Sequence, residues 1–468
     1  MRDLFGDLTR SPLSLAGAAL TTASGVLILA MVVAGVLGIG GGPYGGIVAF
    51  LVLPAFFVMG LVLMPVGAVL ERRKARRAAE LGEPAPAMPV VDLNDPRTRR
   101  VVLLAGAATV ANVVILAMAS YKAIQVMDRP AFCGSCHSVM DPEVTAYRRS
   151  PHARVACVEC HIGSGASWFV KSKLSGTWQL VSVALDLYPR PIPVPVHDLR
   201  PARDTCEECH WPSKFIGDRL KIITRHDDDE QSTDKKTALL LKVGGGDAKR
   251  ARGIHWHVAP GVEVRYLADA KRTQISTVEL RLPDGTSRTY RTAGASSGSS
   301  SGPWRVMDCI DCHNRPTHVY RSPEDEIDQA IAEGRIDRTL PFVRREALAA
   351  LKAARGTHAE AAASIPKALL ESYERLDGPG FPARRAAVEA AAAEVARLYA
   401  YDVWPSMKIT WGTYPTFLGH DASPGCWRCH DDSHADASGR TIPQDCDLCH
   451  SILAQDEKDP EVLKELGE

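Results

Sequence analysis

The chain has no excess of either charge and no cysteine outside one repeated pattern. Its 55 lysines and arginines are matched by 55 aspartates and glutamates, whereas a protein that binds nucleic acid usually carries a basic excess. Composition therefore gives no support for a nucleic-acid partner. Charge is also missing locally, because three stretches near the N-terminus, residues 13–37, 47–70 and 101–120, contain no charged side chain.

These uncharged stretches are long enough to cross a lipid bilayer. Each reaches the ~20 apolar residues that a transmembrane helix needs. A buried core helix does not explain their length or their clustering. A cleaved signal peptide fits poorly, because the first run is too long for the apolar part of a signal and a second run follows at once. The sequence therefore predicts three transmembrane helices within a membrane domain of residues 1–127.

Basic residues predict how these helices are oriented. The loop 38–46 carries no charge, whereas the segment between the second and third runs is rich in lysine and arginine: Arg72, Arg73, Lys74, Arg76, Arg77, Arg97, Arg99 and Arg100. Loops with such an excess stay in the cytoplasm. We therefore expect a multi-pass protein of the bacterial inner membrane whose chain beyond residue 127 lies on the periplasmic side.

Cysteine occurs in a single pattern, Cys-x-x-Cys-His. The pattern is present six times and uses all twelve cysteines: Cys133/Cys136/His137, Cys157/Cys160/His161, Cys206/Cys209/His210, Cys309/Cys312/His313, Cys426/Cys429/His430 and Cys446/Cys449/His450. This spacing is typical of covalent attachment of haem c, in which both thiols bind the porphyrin and the histidine binds the iron. The sequence thus predicts six haem c groups and a role in electron conduction.

Zinc sites and disulfides are weaker interpretations of the paired cysteines. A zinc site usually takes two such pairs and has no need of a histidine after each one. A disulfide framework does not require that histidine either. Histidine accounts for only 15 of 468 residues, yet it follows every pair. Haem is the better interpretation.

A low-spin haem iron needs a second strong ligand, and position in the chain suggests which residues supply it. The candidate distal ligands are His152, His318, His420, His434, His257 and Met140. His255 and His257 lie two apart on a predicted strand, which places them on one face. Either could reach a haem.

Composition changes along the chain predict its organisation. Residues 128–220 hold three haem motifs, residues 221–305 are rich in β-formers and end in a Gly/Ser linker, and residues 306–322 hold the fourth motif. Residues 323–400 are helical in pattern, and residues 401–468 form a two-haem C-terminal region. The predicted fold is a mixed membrane protein: three transmembrane helices, a multihaem region with little regular structure, a small β-rich insertion and an α-helical C-terminal part.

Several of these motifs together resemble the NapC/NirT family of membrane-anchored multihaem cytochromes. A membrane helix leads into FCGSCHSVM, then SPH, ACVECH, SWFVKSK, TCEECH and CIDCHNRPTH. The resemblance implies oxidation of a membrane quinol, with electrons passed to a periplasmic redox protein. It also implies that Met140 serves the first haem, and that Lys173 and Asp186 are quinol-site candidates. The chain is larger than the usual four-haem, one-helix member.

The main functional hypothesis is a respiratory electron-transfer protein with quinol dehydrogenase activity that works in contact with the lipid bilayer. One alternative is a wiring subunit of a larger complex, bound to other membrane subunits and without its own quinol site. Another is a terminal oxyanion reductase, which needs one haem with an open coordination position. The surplus of histidines disfavours this last class.

Overall fold

The computed structural model describes residues 11–36, 52–81, 92–163, 165–195, 200–244, 253–292, 302–421 and 423–467. The chain forms two compact units, Met1–Ser135 and Cys136–Glu468. The boundary falls inside the first Cys-x-x-Cys-His motif. Each unit is described separately below.

The first unit contains the apolar helices. They are α1 (Pro12–Val36), α2 (Leu53–Glu80) and α3 (Pro96–Met127), followed by one turn, α4 (Pro130–Cys133). Within the described residues, three helices are long and apolar enough to cross a membrane, as many as the sequence predicts. The boundaries differ from those predicted. Helix α2 continues through the basic residues after its apolar run, and α3 begins at Pro96 because the Asp95 carboxylate caps it by accepting from the Thr98 N–H at 2.9 Å. The predicted loop 38–46 lies outside the described residues.

Small residues bring α1 and α2 together. A Cβ atom at Gly60 would lie 2.6 Å from the carbonyl oxygen of Gly17, and one at Gly17 would lie 2.7 Å from that of Gly60. The Ser14 hydroxyl donates to the Met64 carbonyl at 2.8 Å. Apolar helices in lipid associate through this kind of close contact, because lipid provides no hydrophobic force between them.

The second unit begins with helices that overlap or follow the first three haem motifs. They are α5 (His137–Arg148), α6 (Cys157–His161), α7 (Ala166–Ala184) and α8 (Ala202–Cys206). Apart from α5 and α7 they are single turns. Val139 of α5 is buried in an apolar cluster with Met407, Ile409 and Tyr414, and Val183 of α7 packs against it.

The β-strands of the described residues form two antiparallel sheets. The strands are β1 (Arg219–His226), β2 (Asp234–Leu241), β3 (Glu263–Ala268), β4 (Ile275–Arg281), β5 (Ser287–Arg291), β6 (Arg305–Val306) and β7 (His450–Glu457). One sheet has the order β1-β2-β7 and the other β5-β4-β3-β6. The strands of the predicted insertion are therefore divided between two sheets, and β7 from the C-terminal region completes one of them.

A helical bundle without a haem motif contains the largest apolar core of the described residues. It consists of α9 (Pro323–Ala332), α10 (Val343–Ala353), α11 (His358–Asp377) and α12 (Phe381–Asp402); a short α13 (Glu461–Leu466) follows β7 near the end of the chain. The bundle core includes Ile327, Leu351, Leu369, Leu398 and Tyr373, all nearly inaccessible to solvent. The Tyr373 hydroxyl donates to the Pro341 carbonyl at 2.9 Å, so its polar end is satisfied.

A buried ionic cluster joins this bundle to α5. Arg149, directly after α5, contacts Glu326 at 2.5 Å and Asp402 at 3.4 Å. Burial, reinforced by the neighbouring Glu326 carboxylate, raises the pKa of Asp402 to about 7. Because the folded state holds this proton more tightly than the unfolded chain, the contribution of Asp402 to stability falls as pH rises from about 4 towards 7.

We expect Asp402→Asn to weaken this pH dependence. The neutral amide retains an oxygen for the Arg321 N–H, which Asp402 accepts at 2.9 Å, but it cannot ionise. Hydrogen–deuterium exchange of α9 and α12, corrected for intrinsic rates, should show the bundle losing protection between pH 5 and pH 8 in the native protein, by about 1 kcal/mol or more. The loss should be smaller in the variant. Asp325→Asn, on the exposed side of α9, should behave like the native chain, and equal pH dependence in all three proteins would contradict the assignment.

Candidate haem-binding sites

The five described motifs in the second unit each fold into a single helical turn. The turn follows from hydrogen bonds between its ends: the His210, His313 and His430 N–H groups donate to the carbonyls of Cys206, Cys309 and Cys426 at 2.7, 2.8 and 3.1 Å. Both thiols and the histidine of a motif thus stay within one turn. All twelve cysteines, each in a described range, are free of disulfides, as haem attachment requires.

The cysteines are unevenly exposed, which the repeated motif does not predict. Cys160, Cys209 and Cys446 are exposed to solvent, whereas the other nine are half-buried. The third motif shows the reason: Cys206 contacts Cys309 of the fourth motif, while Cys209 lies at the other end of the turn, its N–H bonded to the Cys206 carbonyl at 3.2 Å. The two thiols of one motif therefore have different surroundings, and haem attachment at Cys209 stays a prediction.

Each of these five motif histidines faces a second histidine from elsewhere in the chain. Ring centres are 6.2 Å apart for His161–His318, 6.0 Å for His152–His210, 6.4 Å for His255–His313, 5.8 Å for His257–His430 and 6.1 Å for His420–His450. Two imidazoles that bind one metal ion from opposite sides have ring centres roughly 6 Å apart, because each metal–nitrogen bond is about 2 Å long. The spacing therefore leaves room for one iron between each pair.

In several of these paired histidines, the ring nitrogen Nδ1 is hydrogen-bonded to a backbone carbonyl. His255 Nδ1 donates to the Val243 carbonyl and His257 Nδ1 to the Ile254 carbonyl, both at 2.7 Å. His430 Nδ1 donates to the Pro443 carbonyl at 2.9 Å. A hydrogen bond at Nδ1 fixes the tautomer and leaves Nε2 to bind a metal.

Electrostatics favour the neutral imidazole at these positions. Burial lowers the pKa of His161, His257, His313, His318 and His450, and a facing histidine contributes to the shift at four of them, all but His318. Neutral imidazole is the form that binds metal. The groups thus suit iron ligation at neutral pH.

The structure differs from the sequence prediction at the GIHWH segment. Residues Ile254–Val258 form a 3₁₀ helix and not a strand. His255 and His257 consequently do not share a face, since one lies against His313 and the other against His430. A short run of β-branched and aromatic residues beside Gly253 could not distinguish these two local structures.

His434 was among the predicted distal ligands, but both of its ring nitrogens have other partners. Nδ1 lies 2.9 Å from the Asp431 carboxylate and Nε2 lies 3.0 Å from the Ile275 carbonyl. It therefore leaves the ligand set that we propose. His226 contacts the buried Asp328 at 3.1 Å, and His358 contacts the Val403 carbonyl, so both have structural roles. His197 lies outside the described residues.

For the first motif, the described residues show no pair of facing histidines. The side chain of His137 lies outside the described part of the chain, and Met140 is half-buried on α5 with its N–H bonded to the Cys136 carbonyl at 3.1 Å. Ligation by Met140 stays a prediction.

Neighbouring motifs follow chain order in space. A hydrogen bond with Cys309 lowers the pKa of Cys206, so the third and fourth motifs are in contact. Burial and then the nearby Cys206 raise the pKa of Cys160, and burial with the nearby Cys426 raises the pKa of Cys312 to about 11. Burial and the nearby Cys426 likewise raise the pKa of Cys449. The second to sixth motifs thus form a continuous row.

The two quinol-site candidates are on the same helix segment but not together. Lys173 lies within α7, and Asp186 follows its end with φ of 54°. At 1.5 Å per helical residue they are separated by at least about 15 Å along the axis. Asp186 is held by Arg190, whose hydrogen bond lowers its pKa. Sequence reasoning missed Arg190, although its i,i+4 spacing from Asp186 was a usable signal.

Comparisons with known proteins identify the family. The family model described as NapC/NirT cytochrome c family, N-terminal region, matches residues 96–188. A relative named cytochrome c-type protein ImcH, from Geobacter sulfurreducens, is 40% identical over 451 residues, which cover 95% of this chain and 88% of that protein. The chain belongs to the NapC/NirT cytochrome c family.

Membership of this family fits the folding of each described motif into one turn, because haem c is attached at such motifs. A second relative, cytochrome c-type protein NrfH from Wolinella succinogenes, is 29% identical over 100 residues, or 21% of this chain and 56% of that one. No solved structure matches the chain. The family is membrane-anchored, takes part in electron transport and carries covalent haem c, and the imidazole pairs and free cysteines fit that cofactor.

We expect His257→Ala to convert one haem from low-spin to high-spin iron. The predicted thioether bonds at Cys426 and Cys429 would keep the haem attached, so only the facing imidazole would be lost. Intact mass should show an unchanged haem number, and electron paramagnetic resonance should show one new high-spin centre. His434→Gln is the matched control and should keep the native spectrum. A native spectrum for His257→Ala would remove this residue from the ligand set.

Proposed function

We propose that this cytochrome carries six haems, oxidises a membrane quinol on the periplasmic side of the inner membrane and passes the electrons to a periplasmic acceptor. The observation that carries the proposal is the row of five imidazole pairs at 5.8–6.4 Å. The proposed proximal ligands are the six motif histidines. The proposed distal ligands are His318, His152, His255, His257 and His420 for the second to sixth motifs, and Met140 for the first.

Paired ligation by histidines supports electron conduction over substrate reduction. When bound, the haems supply one-electron redox chemistry. When haem is bound, each of the five described histidine pairs would hold the iron with two imidazoles, which would leave no coordination site there for an oxyanion. Burial lowers the pKa of His161, His257, His313, His318 and His450, which favours the neutral, metal-binding form of these five imidazoles. Among the five described pairs, this argues for conduction and against a terminal reductase.

The quinol end of the molecule is supported by α7. Leu174, Trp178, Val181 and Leu185 recur at helical spacing along α7 and the residue after it, and all four are exposed. An exposed apolar stripe with a tryptophan suits contact with lipid or a lipid-soluble ligand. Lys173 and Asp186 flank that stripe. We propose that a quinol approaches along it and gives up two electrons singly to the haems and two protons to the periplasmic side. Asp186, kept ionised by Arg190, takes the first of these protons and passes it on to water.

Asp186→Asn should slow quinol-dependent reduction of the protein by about tenfold or more, the scale on which a lost proton acceptor acts. The measurement is the rate of haem reduction by a menaquinol analogue, with dithionite as a reductant that bypasses the site. Lys173→Gln tests the second candidate separately. Glu389→Gln, an exposed carboxylate in the bundle, is the control. Failure of the native protein to accept electrons from the quinol, in the absence of partner subunits, would favour the wiring-subunit alternative.

The acceptor end is supported by charge. Between residues 421 and 468 the chain has twelve acidic and four basic residues, although its overall charge is zero. Several of these carboxylates are exposed next to the sixth motif: Asp432, Asp445, Asp447, Asp456 and Glu457. Opposite charge accelerates encounter between redox proteins. We propose that the acceptor presents a basic surface here.

Electron transfer to a basic acceptor should therefore slow as salt is added. Stopped-flow oxidation of the reduced protein by mitochondrial cytochrome c, a basic probe, should fall at least about tenfold between low and physiological ionic strength. Succinylated cytochrome c keeps its haem but reverses its charge, and should react slowly at every salt concentration. Equal rates with the two probes would exclude an acidic docking surface.

A further inference from the structure

His318 differs from other candidate distal ligands in what lies at its Nδ1. For His255 and His257, Nδ1 donates to a backbone carbonyl, and His152 Nδ1 lies 3.4 Å from the Pro316 carbonyl. His318 Nδ1 lies 3.0 Å from the Glu143 carbonyl and also 3.0 Å from the Glu143 carboxylate oxygen Oε2. Of these four histidines, His318 is the one that contacts a carboxylate through Nδ1.

The Glu143 carboxylate is fixed in this position. Arg315 donates from one guanidinium nitrogen to both carboxylate oxygens, at 3.1 and 3.2 Å. The Tyr320 hydroxyl donates to Oε1 at 3.4 Å. Side-chain exposure is only 17% for Glu143 and 8% for Arg315, so water screens these contacts little.

The anchor of this arrangement is itself rigid. The Arg315 guanidinium packs over the Tyr414 ring at 4.2 Å and its Nε donates to the His318 carbonyl at 2.5 Å. Arg315 therefore holds both the carboxylate and the backbone of the ligand that the carboxylate contacts. The helix α5 supplies Glu143, and the loop after the fourth motif supplies His318 and Arg315.

A carboxylate at the outer nitrogen makes an imidazole a stronger donor to its metal. Stronger donation stabilises the ferric state over the ferrous state, and so lowers the reduction potential. A carbonyl acceptor carries no charge and has a smaller effect. The positive charge of Arg315 offsets part of the Glu143 charge, but the carboxylate is the group in direct contact with His318 Nδ1.

We propose that Glu143 is a positioning residue that orients His318 and lowers the potential of the haem at the second motif, relative to haems whose distal ligands bond to backbone carbonyls. The proposal rests on the proposed ligation of that haem by His161 and His318. It does not depend on which quinol or acceptor the protein uses. It gives the haem at the second motif a distinct reduction potential, which the repeated motif does not predict.

The test is Glu143→Gln in the full-length protein. Glutamine keeps the size and the bond to Arg315 but removes the charge, and the backbone carbonyl at residue 143 remains as the partner of Nδ1. Spectroelectrochemical titration should show that the reduction potential of one haem rises by about 59 mV. For one electron this corresponds to a tenfold change in the reduction equilibrium constant. The low-spin resonance of one haem should shift in the same variant.

A matched control separates the effect of the Glu143–His318 contact from the electrostatic effect of any carboxylate near the same haem. Glu159 lies inside the second motif and is exposed, so Glu159→Gln removes a carboxylate close to the same haem without touching His318. Its shift should be much smaller. Equal shifts in the two variants, or six unchanged potentials in Glu143→Gln, would overturn the proposal.

Two further variants link the effect to His318. In a His318→Ala background, Glu143→Gln should no longer shift any potential, because the ligand that transmits the effect is gone. Glu143→Asp keeps the charge for Arg315 and withdraws the carboxylate, and should raise the same potential by a smaller amount. A full shift in the His318→Ala background would count against the proposal. Loss of quinol oxidation with the potential shifts intact would affect the proposed function alone.

Discussion

The contact on which the second unit depends is the one between a motif histidine and a histidine from a distant part of the chain. Each motif can attach its porphyrin locally, because both cysteines and one ligand lie in a single turn. The other face of the metal must be covered from elsewhere. His161 and His318 stand 157 positions apart in the chain, and the other pairs also join separate segments. When haem is bound, each pair would therefore act as a cross-link that the fold must accommodate.

This requirement accounts for elements that are otherwise unexpected in an electron-transfer protein. The segment between β2 and β3 carries no motif of its own, yet its 3₁₀ turn provides His255 and His257 to the fourth and fifth motifs. The strand β7 begins at the sixth motif histidine and pairs with β2. The sheets thus position ligands at one end of the row. The helical bundle keeps an apolar core of its own and is attached through the buried cluster of Arg149, Glu326 and Asp402.

The chemical differences between the sites arise outside the repeated motif. One proposed distal ligand contacts a carboxylate and others contact backbone carbonyls, and the candidate for the first motif is a methionine instead of a histidine. The surroundings also differ, from the apolar stripe on α7 to the acidic C-terminal region. A row of identical attachment sites can in this way have a distinct entry, interior and exit.

The sequence by itself determined the features that depend on local covalent chemistry and on length. Cys-x-x-Cys-His spacing places the attachment sites within one turn, and uncharged runs of about 20 residues predict the apolar helices. It also indicated His152, His318 and His420, because they lie near motifs in the chain. Only the tertiary structure decided which motif each of them faces, and it shows both ring nitrogens of His434 in contact with Asp431 and Ile275. It also revealed Glu143 and placed Lys173 and Asp186 apart. These outcomes depend on contacts between residues far apart in the chain, which spacing and periodicity do not encode.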